Sequence, residues 1–365
     1  MTEKNIIKGR YIIKEQEQTP SKPLNSTYET NKYISQLTNE PINKLVSLGV
    51  RDFEIDKITN EKSAYIGNTK ITLLTGLKSI SINDHKTLKK VISIFTKNNN
   101  FENFKVGKVD YRVTVDIEEM AIERKELSKD ILKDSKKKSQ SMKNFRRKLK
   151  KSLDNLSENI KLDDGDKNYL NTNFFATSQI KNKGKTLYVT LNPDFADSLL
   201  MDNKITQYPK VLYTIDGRDK NTYVLGNILN DHFSKYTNQK QNKKKGRKPT
   251  YDRLKVKTCL ENLPDIMTYE EVLLKSKSWK ERIKEPLENC LDNLISCNCL
   301  KEWHYGHKNG QILKNENMLE YIDNYQKWIE LNIYFTPCNY WELIKDDKMI
   351  EAKKNELEEL DKLYN

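Results

Sequence analysis

The sequence predicts an α+β fold, mainly α, with two winged-helix domains in tandem, each a helix-turn-helix followed by a β-hairpin wing. Amphipathic helical patterns dominate the chain, and in the first half a hairpin pattern follows a long basic helix. The same order of elements then returns in the second half. Hydrophobic residues make up 36% of the 365 positions, which suits two compact domains better than one large core.

Four segments follow from the composition along the chain. Residues 1–40 are polar and predict a flexible N-terminal arm. Residues 41–215 predict the first winged-helix domain and residues 216–345 the second. Residues 346–365 predict an acidic C-terminal helix.

The first half predicts strands and helices in the winged-helix order. A strand is expected at 70–74, a helix at 85–98 and a short alternating strand at 111–115. Asp116 is placed to cap a helix at 117–124. A second helix is expected at 139–156, and a hairpin at 174–191 turns around a Lys-Asn-Lys-Gly sequence.

The second half predicts the same order. Helices are expected at 222–236, 251–263, 268–275 and 279–295, with a basic loop at 238–248. Residues 300–312 contain Asn309-Gly310, a strong turn signal, and predict the second wing. A closing strand is expected at 331–335, and Pro286 should kink the 279–295 helix or begin a new one.

The segment 136–151 is the most informative, because it holds nine basic residues and no acidic one. Its apolar residues recur every three or four positions and define one buried face: Met142, Phe145, Leu149, Leu153 and Leu156. The opposite face carries Gln140, Asn144, Arg147 and Lys151, flanked by Lys143 and Lys148. Gln and Asn can pair with adenine and Arg with guanine, so this face suits the DNA major groove. The alternatives are a merely solvated helix or one lying on a membrane.

Further basic residues predict additional contacts to double-stranded DNA. They are Lys136, Lys137 and Lys138 at the helix start; Lys181, Lys183 and Lys185 at the wing tip; Lys243, Lys244, Lys245, Arg247 and Lys248 in the loop; and Lys280, Arg282 and Lys284 in the second domain. The second domain is less suited to DNA, because its 279–295 helix exposes Glu281, Glu285, Glu288 and Asp292. That face could instead contact a protein partner, or the other half of the molecule.

The bulk composition points to the same partner. The net charge is +13 and favours a polyanion, nucleic acid before an anionic membrane surface. No segment is apolar enough to span a membrane, the N-terminus lacks the apolar core of a secretory signal, and five cysteines suggest reduced thiols in a cytoplasm. We therefore expect a cytoplasmic, nucleoid-associated protein.

Enzyme and cofactor signatures are mostly missing from the sequence. There is no GxxxxGK[ST] phosphate loop and no pair of histidines separated by one apolar residue, so we expect neither an enzyme nor a cofactor. Cys297, Cys299, His304 and His307 have zinc-ligand chemistry but match no common zinc module. Ordinary thiols and wing histidines are the favoured interpretation, and the metal question stays open.

Two stretches resemble replication initiators of the tandem winged-helix type, found on theta-replicating plasmids, phages and integrative elements of low-GC Gram-positive bacteria. They are TQYPKVLYTIDGRDKNTYVLG at 206–226 and WKERIKEPLENCLDNLI at 279–295. In the first stretch, Ile215, Asp216, Arg218 and Tyr223 would join the two domains. The resemblance spans about residues 65–340.

The resemblance implies binding to repeated origin sequences, melting of adjacent AT-rich DNA and recruitment of a host helicase or its loader. It also implies that homodimers repress the protein's own gene while monomers bind the repeats. Two other functions remain open: a winged-helix transcriptional regulator or autorepressor without initiator activity, and a nucleic-acid enzyme such as a primase or nickase.

Overall fold

A computed structural model describes most of both predicted domains. The described residues are 81–99, 101–158, 169–202, 204–239, 252–263, 265–309 and 323–338, strands at 6–8, 11–13, 33–38, 54–55, 62–66, 69–73 and 160–163, and positions 311, 313 and 321. The predicted acidic helix at 346–365 and nearly all of the predicted basic loop lie outside these residues. Within the described residues, no helix combines the length and the apolar character that crossing a bilayer requires.

The first domain follows the predicted order. The predicted arm contains β1 (Ile6–Lys8), β2 (Tyr11–Ile13) and β3 (Tyr33–Thr38). The domain opens with β4 (Glu54–Ile55), β5 (Lys62–Ile66) and β6 (Thr69–Leu73), which pair with two later strands in a five-stranded antiparallel sheet. Then come α1 (Ile82–Asn98), α2 (Phe101–Lys105), β7 (Arg112–Asp116), α3 (Ile117–Glu123), α4 (Lys129–Lys133) and α5 (Ser135–Ser157). The domain closes with β8 (Ile160–Asp163), β9 (Tyr169–Thr172), β10 (Phe175–Lys181), β11 (Thr186–Leu191) and α6 (Pro193–Asp202).

Capping side chains determine where several of these helices begin. Ser81 and Asp84 form a capping box at the start of α1. The Asp116 side chain accepts a hydrogen bond from the backbone N–H of Glu119, which confirms the predicted cap of α3. Asp134 accepts from the backbone N–H groups of Lys136 and Lys137, so α5 begins four residues earlier than the predicted helix.

The second domain has its own run of elements. It comprises β12 (Lys204–Pro209), α7 (Val211–Thr214), α8 (Lys220–Gln239), β13 (Arg253–Lys255), α9 (Val256–Asn262), α10 (Tyr269–Leu274), α11 (Glu285–Ser296), β14 (Leu300–Gly306), α12 (Tyr325–Ile329) and β15 (Asn332–Pro337). A π-helical turn at Lys280–Lys284 leads directly into α11. Because Pro286 has no N–H to donate, the wider turn lets the helix continue through the proline.

The two domains share one sheet topology. The three strands of the first sheet are ordered β10-β11-β7, and those of the second β14-β15-β13, all antiparallel. In both, the first strand leads into two short helices and a long third helix, after which the last two strands complete the sheet. The elements common to both are a helix, a strand, three helices and two strands, which is the winged-helix order; within this run the first domain adds α2, β8 and β9, and the second adds α12.

The prediction of one helix over 251–263 is wrong in its first part. Arg253–Lys255 is a strand that pairs with β15, and α9 starts only at Val256. This strand is the counterpart of β7. Its three residues run straight into the helix, so the alternation that marks a strand never develops.

The predicted N-terminal arm contains an ordered strand. β3 pairs antiparallel with β12, Leu37 is buried, and its N–H donates to Thr96 Oγ1 at 2.8 Å. The β-branched and aromatic residues of this stretch favour a strand. The low apolar density of the surrounding residues hides that signal in the sequence.

Helix α1 connects the two domains, each of which has its own hydrophobic core. Val91, Ile92 and Phe95 lie in the first core, whereas Ile82 at the helix start belongs to the second. The second core also includes Tyr208 and Leu212, which precede the predicted boundary at 216.

Polar groups complete this domain joint, the contact of α1 with residues 208–231. His85 Nδ1 lies 2.8 Å from the Tyr223 hydroxyl, and Lys86 Nζ donates to the carbonyl of Ile215. Lys89 Nζ lies 2.5 Å from Asn227 Oδ1 and 3.2 Å from the centre of the Tyr208 ring. Burial lowers the pKa of Lys86 and of Lys89 to about 7. The joint is a packed interface that holds the two domains together.

Candidate nucleic-acid interface

The predicted buried face of α5 is confirmed. Met142, Phe145, Leu149, Leu153 and Leu156 are all 5% exposed or less and pack into the first core. Asn155 Nδ2 donates to Asp84 Oδ2 at 2.8 Å, which ties the end of α5 to the start of α1. The helix is therefore held against the domain along one side, and its opposite side faces solvent.

The solvent side of α5 carries the residues predicted to contact bases and phosphates. The predicted residues that are exposed on this helix are Lys136, Lys137, Gln140, Lys143, Asn144, Arg147, Lys148 and Lys151, while Lys138 is half-buried; Asp154 near the helix end is also exposed. Lys150, which the sequence placed in the basic segment but not on the outward face, is exposed as well. Gln140 Nε2 lies 3.4 Å from Asn144 Oδ1, so the two amide groups are adjacent on the surface.

Three of these lysines already have carboxylate partners. Lys138 Nζ lies 2.5 Å from Glu118, Lys137 Nζ lies 3.7 Å from Asp134, and Lys148 Nζ lies 2.8 and 3.0 Å from the two oxygens of Glu126. In the part of the chain that the structure describes, Lys143, Arg147 and Lys151 have no such partner. Their charge is therefore available to a polyanion at no cost in ion pairs, and that of Lys148 is not.

The first wing stands beside α5. Its tip carries Lys181, Lys183 and Lys185, all of them exposed, so the structure places these three residues together. Arg146 on α5 donates from Nε to the carbonyl of Gly184 in the turn at 2.8 Å. This hydrogen bond joins the wing to the long basic helix.

Sequence reasoning missed an exposed tyrosine on the wing, Tyr188. Tyr188 is 39% exposed on β11, and Lys181 Nζ lies 5.5 Å from the centre of its ring. The alternation of β11 was a usable signal, because Leu187 and Val189 are buried and Tyr188 must then face outward. The tyrosine widens the wing with a flat, partly polar surface.

The third helix of the second domain, formed by the π-helical turn and α11, offers less positive charge. Lys280 Nζ pairs with Asp323, and Lys284 Nζ pairs with Glu288 at 2.9 Å. Arg282 is exposed and has no carboxylate partner among the described residues. Asp292 accepts a hydrogen bond from Trp303 Nε1 at 2.9 Å, so part of the acidic face is bound to its own wing strand.

The structure does not gather the possible zinc ligands. Within the described residues, no group of three or more His, Cys, Asp or Glu side chains is arranged to hold a metal ion. The ring of His304 stacks on Tyr334, and the ring of His307 meets Tyr321 edge-on. The sulfur atoms of Cys297 and Cys299 lie 3.4 Å apart, and their hydrogen bond lowers the pKa of Cys297 to about 7. The two cysteines therefore contact each other, whereas the two histidines contact aromatic rings.

Of the predicted DNA-binding residues, those on α5 and at the wing tip lie on two adjoining elements. Lys280, Arg282 and Lys284 lie on the second domain. Lys243, Lys244, Lys245, Arg247 and Lys248 lie outside the described residues, so their contact with phosphates stays a prediction.

Comparisons with known proteins give fold-level likenesses only. No family model and no curated protein matches the sequence. Among solved structures, the chain is similar to the Pi initiator protein in complex with iteron DNA, with a TM-score of 0.43, 10% identity and coverage of 84% of this chain and 97% of that one. It is also similar to domains 2 and 3 of RctB, with a TM-score of 0.38, 10% identity and coverage of 83% and 99%.

Proposed function

We propose that this protein binds specific double-stranded DNA sequences and initiates replication at the repeats of a plasmid or mobile-element origin. The observation that carries the DNA-binding part is the outward face of α5. This face is basic, holds Asn144 and Arg147 among its lysines, and lies beside a wing with three exposed lysines. The buried face of the same helix is fully used by its own core, which argues against insertion of the helix into a membrane.

The division of contacts follows from side-chain chemistry. Asn144 and Arg147 have the donors and acceptors for base edges in the major groove, whereas Lys143 and Lys151 can neutralise phosphates of either strand. The wing lysines would reach the backbone or the adjoining minor groove. The second domain would bind a neighbouring half-site or mediate dimerisation.

The initiator part of the proposal rests on the sequence resemblance and on the duplicated winged-helix fold. Melting of AT-rich DNA and recruitment of a helicase or its loader belong to this part, as does action in the cytoplasm on the nucleoid. The protein would work without enzymatic activity or a cofactor. An autorepressor with the same fold is the second candidate, because the same α5 surface would serve a single operator equally well.

A binding titration on the DNA flanking the protein's own gene tests the proposal, with random DNA as competitor. Discrete complexes spaced by the repeats should survive the competitor. A plasmid carrying that DNA should then replicate only when the protein is supplied. A single complex without plasmid replication would favour the autorepressor, and equal binding to both DNAs would contradict sequence-specific recognition.

A further inference from the structure

The turn at the tip of the first wing has an unusual backbone. Asn182, Lys183 and Gly184 have φ angles of 54°, 54° and 82°, so three successive residues lie in the left-handed region. For a residue other than glycine this conformation costs about 1–2 kcal/mol, and asparagine tolerates it better than lysine does. Two of the three carry side chains, and contacts around the turn must therefore hold it in place.

The contacts that hold the turn come from within the wing and from the helices beneath it. Asn182 Nδ2 donates to Thr186 Oγ1 at 3.0 Å across the turn. The carbonyl of Lys185 accepts from the N–H of Ile117 at 2.9 Å, which attaches the wing to the first residue of α3. The hydrogen bond from Arg146 to Gly184 is the contact from α5 itself.

The guanidinium of Arg146 lies directly against the turn. A Cβ atom on Gly184 would be only 2.7 Å from Arg146 Nε, so the absence of a side chain at Gly184 permits the approach. Arg146 is half-buried and flanks the apolar face of α5, whereas the next residue, Arg147, is exposed on the outward face. Arg146 is thus bound to the wing turn, whereas Arg147 is open to solvent.

We propose that Arg146 is a positioning residue that sets the wing at a fixed height and angle beside α5. With the wing held there, the lysines of its tip enter the minor groove while α5 occupies the adjoining major groove of the same duplex. A charged donor to a carbonyl makes a stronger hydrogen bond than a neutral one, which suits a contact that fixes a surface element. This inference rests on the proposed DNA-binding function.

Methylation of DNA by dimethyl sulfate tests the proposal, because it reports both grooves in one experiment. The reagent reacts with guanine N7 in the major groove and with adenine N3 in the minor groove. On a duplex that contains one binding site, the wild-type protein should protect guanines at the centre of its contact and adenines beside it. If it protects no guanine of any candidate site, the proposed function fails first, and separately from this inference.

The variants separate the two arginines. Arg146→Ala should keep the guanine protection and lose the adenine protection, and Arg147→Ala should do the reverse. A triple change of Lys181, Lys183 and Lys185 to Gln leaves Arg146 in place and should lose the same adenine protection. It tests the minor-groove contact of the wing tip by itself, and retention of adenine protection in this variant would contradict that contact.

Two results would overturn the assignment. In the first, Arg146→Ala retains adenine protection at the wild-type level, so the wing needs no support from α5. In the second, Arg146→Ala loses both kinds of protection in parallel with a fall in the midpoint of thermal unfolding, as expected of a residue that only stabilises the domain. Loss of adenine protection alone, at wild-type stability, would support the positioning role.

Discussion

Glu126 should restrain the DNA affinity of this protein, because it holds the charge of Lys148. The carboxylate contacts Lys148 Nζ through both oxygens, at 2.8 and 3.0 Å, and the two side chains are 48% and 29% exposed for Lys148 and Glu126. A phosphate that approaches Lys148 must either displace the Glu126 carboxylate or share the Lys148 ammonium with it. The phosphate is also repelled by the negative charge of Glu126. The neighbouring cations Lys143 and Lys151 have no such partner in the described part of the chain.

The magnitude follows from the worth of an exposed ion pair and from counterion release. Partly exposed pairs contribute ~0–1 kcal/mol. Glu126→Gln should therefore strengthen binding to random DNA by at most ~5-fold, since 1.4 kcal/mol corresponds to a factor of ten. Freeing one cation should also steepen the slope of log affinity against log salt by up to ~0.9, which is ~3.5-fold between about 50 and 200 mM salt.

Fluorescence anisotropy with a labelled random duplex, repeated over that salt range, measures both quantities. Glu102→Gln is the matched control, because it makes the same charge change on a residue paired with Lys105 and not with α5. The thermal stability of Glu126→Gln should be measured as well, because Glu126 also favours the charged form of the buried Lys86 and its loss could change the stability of the domain.

The expected ranking extends to the lysines. Lys143→Gln and Lys151→Gln should each lower the salt slope by ~0.9, and Lys148→Gln should lower it by less. Equal affinities and slopes for Glu126→Gln and Glu102→Gln would refute the reasoning. So would a loss from Lys148→Gln as large as that from Lys151→Gln.

Three further outcomes are expected. Arg147→Ala and Asn144→Ala should each weaken a specific site by ~1–3 kcal/mol while sparing random DNA, measured in competition titrations; an equal loss on both DNAs would mean that α5 does not recognise bases. Gly226→Ala should lower the free energy of unfolding by ~1–3 kcal/mol, because its Cβ would lie 2.6 Å from Leu212 and 2.9 Å from Leu294. Gly217→Ala, with its nearest contact at 3.5 Å, is the control in thermal or urea unfolding. Finally, the free energy of unfolding should rise from about pH 7 to 9. Buried Lys89 loses its proton near pH 7 in the folded protein but near 10.5 in the unfolded chain. Between these values the unfolded chain binds more protons, so raising the pH favours the folded state. Lys89→Met should reduce this rise in urea titrations, and an unchanged pH profile would contradict it.

Local patterns in the sequence predicted the elements that carry the candidate site. The stripe from Met142 to Leu156 recurs at helical spacing, and burial on one side of α5 follows from it directly. The Lys-Asn-Lys-Gly turn marked the wing, and Asp116 marked the start of α3. In each case, the decisive residues lie within a few positions of each other.

The ion pairs and hydrogen bonds that adjust the site were beyond prediction from the sequence. Glu126 meets Lys148 across 22 positions, and Arg146 meets Gly184 across 38. Neither distance leaves a periodic signal, because these contacts depend on how the packed domain brings its surfaces together. Helix spacing alone would have placed Arg146 only at the edge of the apolar face.

Helix α1 shows that the burial of polar residues was also beyond prediction from the sequence. Lys86 and Lys89 have the composition of a solvated face, yet they are 3% and 2% exposed because the second domain covers them. A sequence pattern gives the polarity of a helix face but not what lies against it. At the domain joint, carbonyl, amide and aromatic partners from residues 208–227 replace the water that such side chains ordinarily keep.

The shared topology of the two domains makes the difference between their third helices informative. Residues 136–151 hold nine cations and no anion, whereas residues 280–292 hold three cations and four anions. Two of those three cations are paired, which leaves Arg282 as the exposed cation without a carboxylate partner on that stretch, within the described residues. The shared backbone layout therefore does not by itself make the third helix of the second domain a DNA-binding helix, because DNA phosphates would meet net negative charge along α11. If the second domain contacts DNA through this helix, the contact must lie at its start, near Arg282. The remaining acidic face then suits a protein surface, which agrees better with a role in dimerisation than with a second base-reading helix.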